Sequence, residues 1–315
     1  GCYVGATLEG ILDDEPELSQ ARFFKLQMGK PAAVYQDHLQ RTWWPQALSA
    51  LVLKKMLHDV EAFAHDEIGG ALITVPANFN DAQRRATREA AQMAGLTHVK
   101  LMDDPVAAAT FYGLNRKGAE QTLFVYDLGG GTFDATVLQA GDSGLYSLAT
   151  EGSNQHGGIH VDAMIMDFIL DEYQRQHGIR PNDETSLMIL RRFAHDTKLA
   201  LVKPGKTRVG KTFLLGGKSI EFVLTRELFH QMIEQFIDDT IAVCQRCLDA
   251  AGLDWSFVDT ILLTGGSSLL PLVPEKLARI SGRPVDQLVC KQPHQAVAYG
   301  AAILAAQQFG GGGAG

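Results

Sequence analysis

The sequence predicts an α/β protein of two lobes. Apolar strand-like runs alternate with stretches of helical periodicity, the alternation occurs twice along the chain, and each half carries a glycine-rich turn directly after a strand, at 127–134 and 264–268. The chemistry of such a fold gathers beyond the strand ends, so the functional site is expected where these two turns face each other.

The elements follow from local residue chemistry. Residues 1–45 read as irregular, with a basic-aromatic stretch at 22–26 and the pair Trp43-Trp44. An amphipathic helix is expected over 46–65, stopping before Gly69-Gly70. Residues 71–75 form a strand run ended by Pro76, and Asn80 caps a helix over 81–94 that stops at Gly95. A second strand, 99–102, leads through Asp103, Asp104 and Pro105 into a helix of small residues. Strands at 123–126 and 135–139 flank the 127–134 turn as a hairpin rather than a strand-to-helix unit, and 146–150 adds a third. Gly157-Gly158 opens a helix to about His177, a long helix spans about 184–201, and a β-rich stretch covers about 207–224. A cysteine-bearing helix, a buried-type strand at 261–264 and helices near 271–281 and 294–308 follow, and 310–315 is a flexible glycine tail.

Composition narrows the function classes. At 315 residues the chain has length for about two domains. Its 46% hydrophobic and 20% charged residues exclude disordered and fibrous classes. A net charge of −8 argues against nucleic acid as the main partner. No apolar run reaches the ~18 residues that cross a bilayer, and residues 1–17 lack the basic and apolar regions of a signal peptide, so a cytoplasmic setting without membrane is expected. Of Cys2, Cys244, Cys247 and Cys290, only the CxxC pair at 244 and 247 is suggestive. It lies within helical periodicity and lacks a second ligand pair, so two thiols on a helix in a reducing setting are expected rather than redox or zinc chemistry.

The turn at 127–134 is the strongest chemical signal. Three consecutive glycines let the backbone approach a ligand closely, their N–H groups can converge on an anion, and Thr132 adds a hydroxyl. Asp127 and Asp134 flank the turn and offer the hard oxygens that suit Mg²⁺ with retained waters. Anion donors beside paired carboxylates point to a magnesium-bound nucleotide phosphate; the competing reading is a tight hairpin whose glycines serve geometry only. Gly265, Gly266 and Ser267 offer further donors for a sugar or phosphate, and Gly157-Gly158 a weaker set. His156 and His160 are four apart, but the intervening glycines argue against one helix face holding both on a metal. P-loop, dinucleotide-binding and protein-kinase motifs are absent.

The segments ALITVPANFNDAQRRAT (71–87), DDPVAAA (103–109), DLGGGTFD (127–134), TGGSS (264–268) and QAVAYGAA (295–302) occur in that order. Together they resemble the ATPase domain of DnaK-type heat-shock chaperones, in the actin and hexokinase fold superfamily. The resemblance covers about residues 20–308, and the short region before the helix at 46 looks closest to the HscC-type branch. It implies a two-lobed actin-like ATPase fold around an ATP cleft, each lobe a mixed sheet flanked by helices with a smaller outer subdomain. Lobe I is expected over 1–116 (outer part to about 45), lobe II over 117–288 (core 117–156 and 234–288, outer part 157–233), and a C-terminal helix returning to lobe I over 289–309.

The resemblance also implies the activity, hydrolysis of ATP to ADP used to switch a separate peptide-binding domain in protein folding under stress. ATP, ADP and Mg²⁺ are the implied ligands. A J-domain co-chaperone, a nucleotide-exchange factor and unfolded-peptide clients are the implied partners. Asp127 falls at the family's magnesium-side aspartate, Gly129, Gly130, Gly131 and Thr132 on its second phosphate loop, and Asp134 closes that loop; both aspartates would hold Mg²⁺ through waters. Lys25 looks like the catalytic lysine that positions the attacking water and γ-phosphate. Asp104 stands where the family has glutamate, one methylene shorter, and would orient water. Gly157, Gly158, Lys198, Gly265, Gly266 and Ser267 complete the implied nucleotide-binding set. Phosphoryl transfer needs alignment and charge stabilisation more than covalent help, which is what this set supplies.

Two departures stand out. The family's N-terminal strand hairpin, with its Asp-x-Gly-Thr-Thr loop, is missing, so the natural protein is expected to continue upstream. The adenosine clamp is altered: His195 replaces glutamate, Leu199 arginine, Val202 serine, Leu269 arginine and His294 aspartate. Losing two guanidinium planes removes contacts worth roughly 0.5–2 kcal/mol each and predicts weaker nucleotide binding. His195 and His294 are expected to be solvated or core-edge residues without a role. An active ATPase module of a divergent chaperone is favoured by the 127–134 loop and Lys25. A catalytically weak or inactive nucleotide sensor or scaffold is favoured by the altered clamp, Asp104 and the missing loop. The fold also admits an actin-like filament or a sugar kinase, from which the 71–87 block points away.

Overall fold

The computed structural model of the chain describes residues 3–5, 11, 18–114, 120–142 and 144–310. Cys2, the glycine tail beyond 310 and most of the N-terminal segment read for a signal peptide lie outside the described residues. Contacts divide the chain into two compact units, Gly1–Lys117 with Gln295–Gly315, and Gly118–His294.

The first unit begins with structure that the sequence hid. A 3-10 turn, Phe24–Gln27, is followed by an antiparallel hairpin of β1 (Tyr35–Gln36) and β2 (Thr42–Trp43), where only irregular chain is expected. The Asp37 carboxylate makes this hairpin, accepting from the backbone N–H of Leu39 and Arg41 (2.9 Å each), Arg41 Nε (2.7 Å) and Trp43 Nε1 (3.1 Å). Strands of two residues are too short to leave a period-2 pattern. Helix α1 (Pro45–Ala64) starts with proline at its first position, where the missing N–H costs nothing. β3 (Ala71–Val75) and β4 (Val99–Asp103) pair in parallel, Ala71 with Val99 through Val75 with Asp103. Between them α2 (Asp81–Met93) opens on a capping box in which Asn80 and Gln83 each accept the other's backbone N–H at 3.0 Å. α3 (Asp104–Phe111) is nearly all small and buried, because α8 (Ala296–Phe309) crosses it at backbone distance. A Cβ on Gly300 would lie 1.7 Å from Ala107 O.

The second unit is built on a sheet in the order β10–β5–β6–β7, from β5 (Gln121–Leu128), β6 (Phe133–Gly141), β7 (Gly144–Ser153) and β10 (Thr260–Thr264). β10 runs parallel to β5, and the other pairs are antiparallel. β5 and β6 carry almost continuous buried apolar runs, as strands covered on both faces do. Helix α6 (Arg226–Ala251) packs on β6 and β7, and residues of α4 (Gly158–His177), α5 (Glu184–Val202) and α7 (Leu272–Ser281) join the same core. Tyr126, Phe133, Ile165, Tyr173, Leu190 and Phe229 are fully buried in one core; truncating an aromatic there to alanine costs about 3–5 kcal/mol. β8 (Arg208–Leu215) and β9 (Lys218–Thr225) form a hairpin whose two-residue turn, Gly216-Gly217, has φ of +52° and +76°. Positive φ at both positions matches the right-handed strand twist, and glycine adopts it without steric cost. Among the described residues no helix is long and apolar enough to cross a membrane.

Candidate functional site

In the second unit the β5–β6 hairpin is closed by Gly129 N–H donating to Thr132 O at 3.0 Å, with Asp127 opposite Asp134 and Leu128 opposite Phe133. The N-terminus of α4 is zipped onto this loop. Gly158 N–H donates to Gly129 O (3.0 Å) and Ile159 N–H to Gly130 O (2.8 Å). Gly157 lies so close that a Cβ on it would sit 2.4 Å from Gly131 C. The pair 157–158, the weakest signal in the sequence, is therefore the backbone partner of the strongest one. The parallel pairing of β10 with β5 brings the 264–268 turn alongside: Leu128 N–H donates to Ser268 Oγ (3.3 Å), and a Cβ on Gly265 would meet Leu128 O at 2.4 Å and Asp127 Oδ1 at 2.5 Å. Gly265, with φ of +77°, turns the chain here.

Lys198 and Ser267 converge on the same junction. A Cβ on Gly158 would lie 2.6 Å from Ser267 Oγ and 3.0 Å from Lys198 Nζ. Lys198 is buried, donates to Gly158 O at 2.9 Å and ion-pairs with Asp162 Oδ1 at 2.8 Å. The other Asp162 oxygen stands 3.3 Å from His195 Nδ1, so His195 has a partner where a histidine without a role is expected. No sequence spacing links residues 162, 195 and 198 across two helices. His294 is exposed, with its ring against Gly266, 2.4 Å from the place of a Cβ there. Leu199 and Leu269 are exposed.

Asp127 and Asp134 are cross-strand neighbours, so two carboxylates share one face of the hairpin, an arrangement that like charges disfavour and a cation relieves. Among the described residues no group of three or more His, Cys, Asp or Glu side chains is placed to hold a metal. Two aspartates beside a cradle of glycine amides fit a Mg²⁺ that keeps most of its waters and takes the rest of its ligands from phosphate. His156 and His160 belong to no such group among the described residues.

In the first unit Lys25 lies in the 3-10 turn Phe24–Gln27 and Asp104 opens α3. Gly29 (φ +80°) holds that turn on the start of α2, where a Cβ would meet Gln83 N at 2.9 Å. Burial pushes the Asp104 carboxyl above the ordinary range; the Lys25 charge, the Thr74 side-chain hydrogen bond and Arg84 oppose this, while Asp103 adds to it. Arg84 is itself tied to Asp103 Oδ1 at 2.7 Å and to the carbonyls of Ala77 and Phe79.

The family model described as Hsp70 protein matches residues 13–311. The chain belongs to the Hsp70 family. Among relatives, the Chaperone protein DnaK of Thermotoga neapolitana is 38% identical over 288 residues, covering 90% of this chain and 48% of that protein. The Chaperone protein DnaK of Thermosipho melanesiensis is 37% identical over 287 residues, with the same shares. The Hsp70 chain thus spans about half the length of the curated relatives it matches. Its sheets flanked by helices accord with the actin-like ATPase fold of the family. In this Hsp70 chain the CxxC pair lies on α6 with both thiols buried, and burial raises Cys244 well above the ordinary thiol range and Cys247 to about 11. Such thiols are poor nucleophiles.

Proposed function

We propose that this Hsp70 chain binds Mg-ATP and hydrolyses it to ADP, as the module whose nucleotide state switches a peptide-binding domain. The observation that carries the reading is the junction of Gly129–Gly131 with Gly157–Gly158, two backbone segments in contact, with Lys198 and Ser267 beside them. A cradle whose walls are main chain, with a buried cation at its edge, suits a polyphosphate. Mg²⁺, when bound with ATP, would supply charge neutralisation at the terminal phosphoryl oxygens. The amides of Gly130 and Gly131 and the Thr132 hydroxyl bind phosphate oxygens, while Gly129, its N–H donated to Thr132 O, shapes the turn; Gly265, Gly266 and Ser267 bind further along the nucleotide. Asp127 and Asp134 hold the waters of Mg²⁺.

Asp104 and Lys25 are the residues this reading assigns to handling water. Asp104, its carboxyl raised by burial, orients the attacking water and accepts its proton, which a more basic carboxylate does better. The Lys25 charge opposes the upward push of burial on Asp104 and adds positive charge where negative charge spreads. The nucleotide state would then be read by a J-domain co-chaperone, an exchange factor and unfolded-peptide clients.

Single-turnover hydrolysis with Lys25→Ala and Asp104→Asn tests the assignment. We expect the rate to fall about 100-fold, with Mg-ATP affinity within about threefold. An unchanged rate in Lys25→Ala would remove that residue from the chemistry. The exposed leucines Leu199 and Leu269, in place of planar cations, favour a second reading, a nucleotide sensor. Binding by the wild-type chain without hydrolysis supports it.

A further inference from the structure

One side chain at the glycine junction has no part in the reading above. His156 immediately precedes Gly157, and its ring is held from three sides. Nδ1 lies 2.7 Å from Ser153 Oγ at the end of β7, Nε2 lies 3.6 Å from Asp239 Oδ2 on α6, and the Phe236 ring of α6 is centred 5.0 Å away. Ser153 Oγ also accepts the backbone N–H of Gln155 at 3.1 Å, so the same hydroxyl ties the His156 ring to the turn. Asp239 is fixed in turn, because Gln235 Nε2 donates to its other oxygen at 2.8 Å. The His156 side chain is only 16% exposed, whereas Asp239 is 49% exposed.

We propose that His156 is a positioning residue for the Gly129–Gly131 loop, tying β7 and α6 to the turn on which that loop rests. The contact between Gly157 and Gly131 has no side chain on either side, so it cannot hold its own place by packing. Two backbone hydrogen bonds, from Gly158 and Ile159 to Gly129 and Gly130, complete it. A side chain one residue upstream, anchored to a strand and a core helix, sets where those two donors point. That this matters for phosphate affinity rests on the nucleotide reading above; that it orders the loop does not.

Two measurements on the full chain separate these. Amide hydrogen exchange without nucleotide reads the brace alone. In His156→Ala the amides of Gly158 and Ile159 should exchange about tenfold faster. The KM for ATP should rise about tenfold with kcat within about twofold. His156→Gln, which keeps a polar side chain of similar reach facing Ser153 and Asp239, should recover at least half of both effects. Asp239→Ala should shift both in the same direction, and the double variant should be no worse than His156→Ala, since one partner is already gone. Wild-type exchange and KM in His156→Ala, or additive effects in the double variant, would overturn the proposal. If His156→Ala does not fold, Asp239→Ala at its half-exposed site gives the same decision. A wild-type chain that binds no Mg-ATP removes the nucleotide reading, while faster exchange in His156→Ala still upholds the brace.

Discussion

Lys198 donates from Nζ to the carbonyl oxygen of Gly158 at 2.9 Å, and the same nitrogen stands 3.0 Å from where a Cβ on that glycine would be. The neighbouring glycine differs: its Cβ would meet main chain, 2.4 Å from Gly131 C. Side-chain ends move and backbone does not, so adjacent substitutions should separate fold from function. Gly157→Ala should lose about 1–3 kcal/mol of stability as an overpacked site. Gly158→Ala should lose about tenfold or more in Mg-ATP affinity, because the added methyl displaces Lys198 and Ser267, and its stability should fall by less than that of Gly157→Ala only if Lys198 keeps its pairing with Asp162. Thermal melting paired with calorimetric titration checks both.

Asp104 should cost the fold what it gives the chemistry. Its folded pKa lies above the unfolded value of about 3.9, so the folded state favours the neutral carboxyl. The stability it contributes is present below that unfolded value and lost as pH rises through the folded one. Asp104→Asn should therefore melt higher than wild type near pH 7, with the gap closing as pH falls towards 4, while hydrolysis drops. Melting curves of both proteins across that range decide it; a gap that widens on acidification would show that folding does not raise the carboxyl's pKa.

Gly300 sits in the middle of α8, where alanine would ordinarily be worth up to about 1 kcal/mol as the better helix former. The crossing with α3 reverses that sign, since a Cβ would lie 1.7 Å from Ala107 O and 2.4 Å from Ala107 C. Gly300→Ala should destabilise the first unit by at least about 1–3 kcal/mol. Chemical denaturation followed by a probe in that unit measures it.

Thiol reactivity should split by burial rather than by spacing. Cys244 and Cys247 are buried with raised pKa values, and Cys290 is exposed. In the native chain at pH 8, iodoacetamide should label Cys290 and leave the CxxC pair unmodified. Peptide mapping that finds Cys247 alkylated at a comparable rate would contradict the burial argument.

Periodicity and capping residues made most elements legible in the sequence. Asn80 marks the start of α2 and Gly95, with φ of +103°, its end, because helix ends are set by bonds within a few residues. The β1–β2 hairpin was not legible, since Asp37 makes it by gathering donors at 39, 41 and 43 rather than by any apolar alternation. The triple glycine and its flanking aspartates were legible as a loop able to take an anion.

The sequence by itself determined the family, the α/β class and the residue types that could grip a phosphate, because glycines, carboxylates and strand patterns act locally. Only the tertiary structure decided that Gly157 backs Gly131, that Asp162 joins Lys198 to His195, and that His156 reaches Asp239. Those relationships join residues on separate strands and helices, and their distances are set by how whole elements pack.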